Sequence, residues 1–231
     1  DDKAHNWPQP YTKTRGCAKP WEARQSVLYF RGGCNGPTRG WRGPLWRFYA
    51  RKRTNRLSKA YPGQIDAGTY DHCDSPKLNK HEWGWDAQME IEMWAEGPKR
   101  KIEGFRQNCE YKYLLHVDGN VASSRMASEL HLGSTIFKQD SFSNEYFYPL
   151  LRPWEHYVPV SFSLDDVPQR LAWAKANPAQ AAAIGQRGKA FAQKHLHKHS
   201  IACFWWQLLS ALAELEDFAP RHSASLGFRP L

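Results

Sequence analysis

The residues whose types and spacing could do chemistry lie in HVDGNVASSRMASEL: Asp118, Gly119, Ala122, Ser123, Ser124 and Arg125. A turn of small residues that opens a helical pattern leaves the first backbone N–H groups without intrahelical partners, and with the helix dipole they favour an anion. Arg125 follows Ser124 directly, and its guanidinium fork suits two oxygens of one phosphoryl group. The pattern points to a diphosphate cradle, although strand, turn and helix with small residues is also a common unit of plain α/β structure. Neither GxGxxG nor GxxxxGK[ST] occurs, so a dinucleotide fingerprint and a P-loop are both unsupported. Asp118 and, further on, Glu145 could accept hydrogen bonds from sugar hydroxyls, or could be a turn former and a solvated acid.

These residues need elements to hold them. Leu114, Leu115 and Val117 form an apolar run that stops at Asp118-Gly119-Asn120, which predicts a buried strand ending at the cradle. Residues 26–30 (SVLYF) predict an earlier strand running into the glycine-rich loop RGGCNGPTRG, which carries Arg31 and Arg39 and reads either as a close approach to a ligand or as a flexible turn. Residues 135–137 predict a further strand that leads to Asp140, and residues 157–160 one near an edge because Pro159 cannot donate a ladder bond. Helices are predicted over residues 42–57, from a capping-box-like SLDD at 163–166 through Lys175, from Asn177-Pro178 to about His195, and over 199–218 with Cys203, Trp206, Leu209, Leu212 and Ala213 near one face. Residues 61–84 read as loop-rich, and residues 87–94 suit helix or strand. Alternating strands and helices give an α/β domain with a largely parallel sheet, whose ligand belongs at the carboxyl ends of the strands.

Composition narrows the classes. The 231 residues can bury a sizeable core, 41% hydrophobic with 24% charged is ordinary for a globular chain, and no apolar run reaches membrane-spanning length. The net charge of +9 favours anionic partners. Much of the excess lies in Arg39, Arg42, Arg47, Arg51, Lys52, Arg53, Arg56 and Lys59, interleaved with Trp41, Trp46, Phe48 and Tyr49. A single-stranded nucleic acid groove would need such a mixture, but the recurrence of Leu45, Phe48, Tyr49 and Leu57 near helical spacing favours a solvated basic helix, and no nucleic acid partner is expected. Cysteines 17, 34, 73, 109 and 203 show no CxxC and no Cys/His ligand spacing, so no metal is expected; their pairing stays open.

Three blocks carry a resemblance. LYFRGGCNGPTRG, YKYLLHVDGNVASSRMASELHLGSTIFKQDS and FKQDSFSNEYFYPLLRPWEHYVPV, in this order, resemble glycosyltransferase family 90, which groups Rumi-like and KDEL-containing protein O-glucosyltransferases with capsule-associated xylosyltransferases. The resemblance implies a Rossmann-like lobe, the carboxyl-terminal half of a GT-B type enzyme, over residues 21–220, between an irregular segment 1–20 and a tail 221–231. It implies transfer of glucose or xylose from a UDP-sugar to a protein (EGF-like domain) or glycan hydroxyl, without metal or other cofactor, in the endoplasmic reticulum lumen or the Golgi. Arg31, Arg39 and Arg125, with the amides of Ala122, Ser123 and Ser124, would then stabilise departing UDP, and Asp118, Gly119 and Glu145 would line the donor site. The general base would lie in an amino-terminal lobe that nothing before Trp21 resembles, which suggests a fragment holding the donor-binding half, with Asp140 and Asp118 as possible stand-ins. The alternative is a catalytically inactive module that binds nucleotide sugars or polyanions.

Overall fold

The computed structural model describes residues 16–33, 50–70, 100–101, 103–119 and 121–217, apart from the side chains of Ala50, Lys52 and Tyr70. Arg39, Cys34, Cys73, Trp41, Trp46 and the segment 87–94 lie outside the described residues. Elements are numbered among the described residues: β1 Gln25–Gly33, α1 Ala50–Ala60, β2 Ile65–Tyr70, β3 Tyr111–His116, α2 Arg125–Leu130, β4 Thr135–Gln139, β5 Val158–Val160, α3 Val167–Ala176, α4 Pro178–His195 and α5 Lys198–Leu215.

The five strands form one sheet in the order β2-β1-β3-β4-β5, with every pair parallel. The expected α/β fold with a parallel sheet is therefore what the chain adopts. Alternation along the strands sorts the core. Leu28, Phe30, Tyr113, Leu115 and Phe137 pack with Leu171, Ala174, Ala181 and Ile184 of α3 and α4. The opposite register supplies Ile136, which packs with Met126, Ala127 and Leu130 of α2, and Tyr29, whose ring stacks on Tyr111 at 4.1 Å between centroids.

β2 corrects the reading of residues 61–84 as loop. Its sequence IDAGTY is short and half polar, yet it pairs along β1 from Leu28↔Ile65 to Gly33↔Tyr70, so the pairing, not the pattern, makes it a strand. Two cap assignments also change. Asn177 makes no side-chain cap for α4; its Nδ2 donates to the Trp173 carbonyl at 2.8 Å and closes α3 instead. Asp166 precedes α3 without capping it, and accepts from the Ser161 amide and hydroxyl, each at 2.8 Å. Gly185 is required by packing, since a Cβ there would stand 2.7 Å from the Gly133 carbonyl.

Helix α5 lies on the outside of the described body. None of its residues is buried, and Trp206 (75% exposed) and Leu209 (56%) keep their apolar surface in solvent. Its ring contact with the body runs from Phe204 to Tyr146, 4.6 Å between centroids. No helix among the described residues is long and apolar enough to cross a membrane. Cys17 and Cys109 form a disulfide, and Cys203 is free and exposed on α5.

Candidate functional site

β1 and β3 are neighbours from which the chain proceeds in opposite directions across the sheet, β2 lying on one side and β4 on the other. Such a switch point leaves a crevice at the carboxyl ends of the two strands, where α/β sheets bind ligands. The candidate residues gather here.

Arg125 begins α2 and reaches back over the crevice. Its Nη1 donates to the Arg31 carbonyl at 2.5 Å, its Nε donates to Ser123 Oγ at 3.2 Å, and its guanidinium lies 4.9 Å from the centre of the Phe30 ring. The remaining nitrogen, Nη2, is buried and has no hydrogen-bond partner among the described residues. A buried N–H of a charged group without an acceptor is costly, so this atom marks a place where an anionic oxygen would be stabilised.

Asp118 organises the turn below it. Its Oδ1 accepts the Ser123 amide at 3.0 Å, its Oδ2 accepts the Ser141 hydroxyl, and its own amide donates to Gln139 Oε1 at 3.3 Å. These bonds tie the ends of β3 and β4 to the start of α2, and make Asp118 a turn holder whose oxygens already have partners. The Ser123 amide, expected to face a diphosphate, is directed at Asp118. Helix α2 also has only six residues, less than two turns, so its dipole adds little to an anion site. Ser124 is exposed and Ala122 half-buried on the rim of the turn.

Arg31 is drawn into a network with β2. Its Nη2 donates to both carboxylate oxygens of Asp66 of β2, at 2.9 Å each, and Nη1 donates to the Asp66 carbonyl at 2.9 Å. Its Nε lies 3.6 Å from Glu103, which accepts from Tyr29 at 2.5 Å. Alternation on β1 places this network beside Tyr29, away from Phe30 and Gly32. The Arg31 backbone carbonyl takes part in the crevice as the acceptor of Arg125, and Arg31 Nε is buried without a hydrogen-bond partner among the described residues.

The cation missed by the sequence reading is Arg51. Assigned to a solvated basic face, it is 7% exposed: Nε donates to the Asp118 carbonyl and Nη1 to the Gly33 carbonyl, both at 2.9 Å. One side chain from α1 thus bridges the carboxyl ends of β1 and β3. Gly119 makes room for it, since a Cβ there would stand 2.9 Å from Arg51 Nη2. Spacing gave no signal for this, because the acceptors are main-chain atoms that only the fold assembles.

A buried acid and base were also missed. His116 Nδ1 and Glu129 Oε2 are 2.7 Å apart, and His116 Nε2 faces the Tyr148 hydroxyl at 3.3 Å and Asp118 Oδ1 at 4.0 Å. Burial alone would raise the Glu129 carboxyl, but the His116 charge and hydrogen bond, with Arg125 and Arg51 nearby, hold it below the usual carboxylate range. Glu145 behaves oppositely: burial pushes its carboxyl up, His116 opposes the shift and Asp118 adds to it. Lys138 of β4 lies over the Tyr148 ring at 4.4 Å, and burial lowers its ammonium against the pull of Asp118 and Asp140. The crevice can therefore present one guanidinium nitrogen to an anion, with a carboxyl of raised pKa close to His116 and Asp118.

Comparison with known proteins agrees with this architecture. Protein O-glucosyltransferase 1 of Rattus norvegicus is 34% identical over 199 residues, covering 86% of this chain and 44% of the relative. Protein O-glucosyltransferase 3 of Homo sapiens is 33% identical over 191 residues, covering 77% of this chain and 35% of the relative. The chain thus spans under half the length of these curated relatives. Among solved structures, sucrose-phosphate synthase from Thermosynechococcus elongatus, a GT-B type glycosyltransferase, superposes with a TM-score of 0.50 at 15% identity, over 86% of this chain and 47% of that one, a likeness of fold alone. A family model for glycosyl transferase family 90 matches residues 12–226, and on that match and those relatives the chain belongs to glycosyl transferase family 90.

Proposed function

We propose that this chain binds a UDP-sugar at the β1–β3 switch point and serves the donor side of transfer of glucose or xylose to a hydroxyl of a protein such as an EGF-like domain, or of a glycan. The observation that carries the reading is the Arg125 Nη2, buried and unpartnered among the described residues at the carboxyl edge of a parallel sheet. An oxygen of the diphosphate that accepts from it removes a desolvation penalty and meets a fixed charge where negative charge grows as UDP departs. Glu145, whose carboxyl burial pushes up, is the acid we assign to the sugar or ribose hydroxyls, because a carboxyl group can accept hydrogen bonds from them. Arg39 stays in the proposed donor set on the family resemblance. The reading needs no metal.

A base must still take the proton of the attacking hydroxyl. We assign it to the part of the longer relatives that this chain does not span, which is more than half of their length. The Cys17–Cys109 disulfide supports an oxidising, secretory-type compartment such as the endoplasmic reticulum or Golgi lumen.

The test is calorimetry of UDP, UDP-glucose and UDP-xylose with the full chain, followed by an assay of labelled donors against EGF-like domains with the chain alone and extended by its upstream region. Saturable UDP-sugar binding, with transfer only in the extended form, is expected. Binding without transfer in either form would select the inactive module, and failure to bind any UDP compound would sink the reading.

A further inference from the structure

The family match does not account for the His116–Glu129 pair. Both side chains are among the most buried polar groups of the chain, 1% and 3% exposed, and they lie directly beneath the crevice. An isolated charge there would be costly, and a buried pair survives only where further partners satisfy it. With Glu129 ionised, the 2.7 Å contact fixes the proton of His116 on Nδ1, so that Nε2 is left facing Tyr148 and Asp118.

The groups around His116 come from every neighbouring element. Glu129 approaches from α2, Asp118 from the end of β3, Tyr148 from the 3-10 turn Tyr148–Leu150, and Glu145 from the segment before it. Lys138 of β4 lies behind the Tyr148 ring, and Arg125 and Arg51 act on Glu129. Four acidic or phenolic groups thus surround one imidazole, and one of them, Asp118, holds the Ser123 amide while Ser123 Oγ accepts from Arg125.

We propose that His116, oriented by Glu129, is a positioning residue of the anion site, acting through Asp118 and Ser123 on the aim of Arg125; the inference rests on the reading of that edge as a diphosphate site. In the imidazolium form, Nε2–H turns a donor toward Asp118 and Tyr148, draws the Asp118 carboxylate down, and adds a positive charge beneath the crevice. In the neutral form Nε2 offers a lone pair to the Asp118 carboxylate, and that hold is lost. Anion affinity is therefore higher with His116 in the imidazolium form than in the neutral form, and so depends on pH.

The experiment is calorimetry with two separate probes, UDP-glucose and inorganic pyrophosphate, from about pH 5.5 to about pH 8.5. It is made on the full chain, on His116→Gln and on Glu129→Gln. UDP-glucose has no titrating phosphate in this range, and comparison with the variants at each pH cancels the titration of pyrophosphate. The unaltered chain is expected to bind about fivefold more tightly at the acid end, a modest coupling between two sites. His116→Gln flattens the step. Glu129→Gln alters it, because the imidazole loses the partner that orients it. A packing role would alter affinity or melting temperature without moving the step, and if His116→Gln fails to fold, Glu129→Gln carries the test. A pH profile unchanged in the variants overturns the inference while leaving the UDP-sugar reading intact. A His116-linked step with pyrophosphate but no binding of UDP-glucose supports the inference and removes the UDP-sugar reading. Absence of binding by both probes overturns both.

Discussion

Arg125 donates through Nη1 to the main-chain carbonyl of Arg31 at 2.5 Å, so the guanidinium of one arginine is aimed by the backbone of another. The aim leaves Nη2 buried and unpartnered among the described residues. Arg125→Ala is expected to weaken UDP binding by about 1.5–3 kcal/mol, the range for a hydrogen bond to a charged group. Arg125→Lys should recover little, since an ammonium cannot hold the carbonyl, Ser123 and a ligand oxygen in one plane. Unchanged UDP affinity in folded Arg125→Ala would take the residue out of the site.

Arg31 should behave differently. Its pairing with Asp66 joins β1 to β2, so Arg31→Ala is expected to lower stability by about 1–3 kcal/mol and to alter UDP affinity less than Arg125→Ala does. Urea denaturation and calorimetry on the same preparations check both halves. A large loss of UDP affinity with unchanged stability would return the Arg31 guanidinium to the donor site.

For Arg51 the expected loss is one of stability. Arg51→Met keeps much of the apolar stem but leaves the Gly33 and Asp118 carbonyls without their charged donor. A cost on the order of 3 kcal/mol follows from two such bonds. Hydrogen exchange should show the loss at the ends of β1 and β3 first, and uniform exchange across the sheet would contradict the bridging role.

Stability should also fall in acid. Glu129 has a folded pKa below its ordinary 4.5, so its ionised form stabilises the fold at higher pH and that contribution disappears as the pH drops through the depressed value. Asp166 is lowered from 3.8 in the same sense: burial opposes the shift, while the Ser161 amide and hydroxyl and Arg170 outweigh it. The urea midpoint is therefore expected to decline below about pH 4.5, and to decline less steeply in Glu129→Gln. An unaltered acid limb in that variant would show that Glu129 does not carry the dependence.

The sequence disclosed those parts of the fold whose signal is local. The β3 run stops at Asp118-Gly119, α4 opens on Pro178, and Arg125 follows its small-residue turn, so each could be read in place. β2 escaped because Asp66, Gly68 and Thr69 lack the apolar run of a buried strand; its stability comes from β1, from Ser58 donating to the Ile65 carbonyl, and from the Arg31–Asp66 pair. Arg51 and the His116–Glu129 pair escaped for a related reason. Charged side chains read as solvated unless their partners are known, and these partners come from other elements. Arg31 shows the converse case, since the pairing of its guanidinium with Asp66 of β2 could not be read from the glycine-rich loop that it opens.

The disulfide has a kinetic consequence. β1 and β3 are adjacent from Gln25↔Tyr111 onward, yet these partners are far apart along the chain, and parallel strands so separated find each other slowly. Cys17 and Cys109, 92 residues apart, stand just ahead of the two strands, so once oxidised they leave a detour of only about ten residues between the paired ends. The oxidised chain can zip its central strands together before β2 joins β1, whereas a reduced chain must close the long loop first. Stopped-flow refolding of the oxidised chain should outpace that of Cys17→Ser/Cys109→Ser, and mutations at the β1–β3 seam should slow refolding in the oxidised form more than mutations at the β1–β2 seam do.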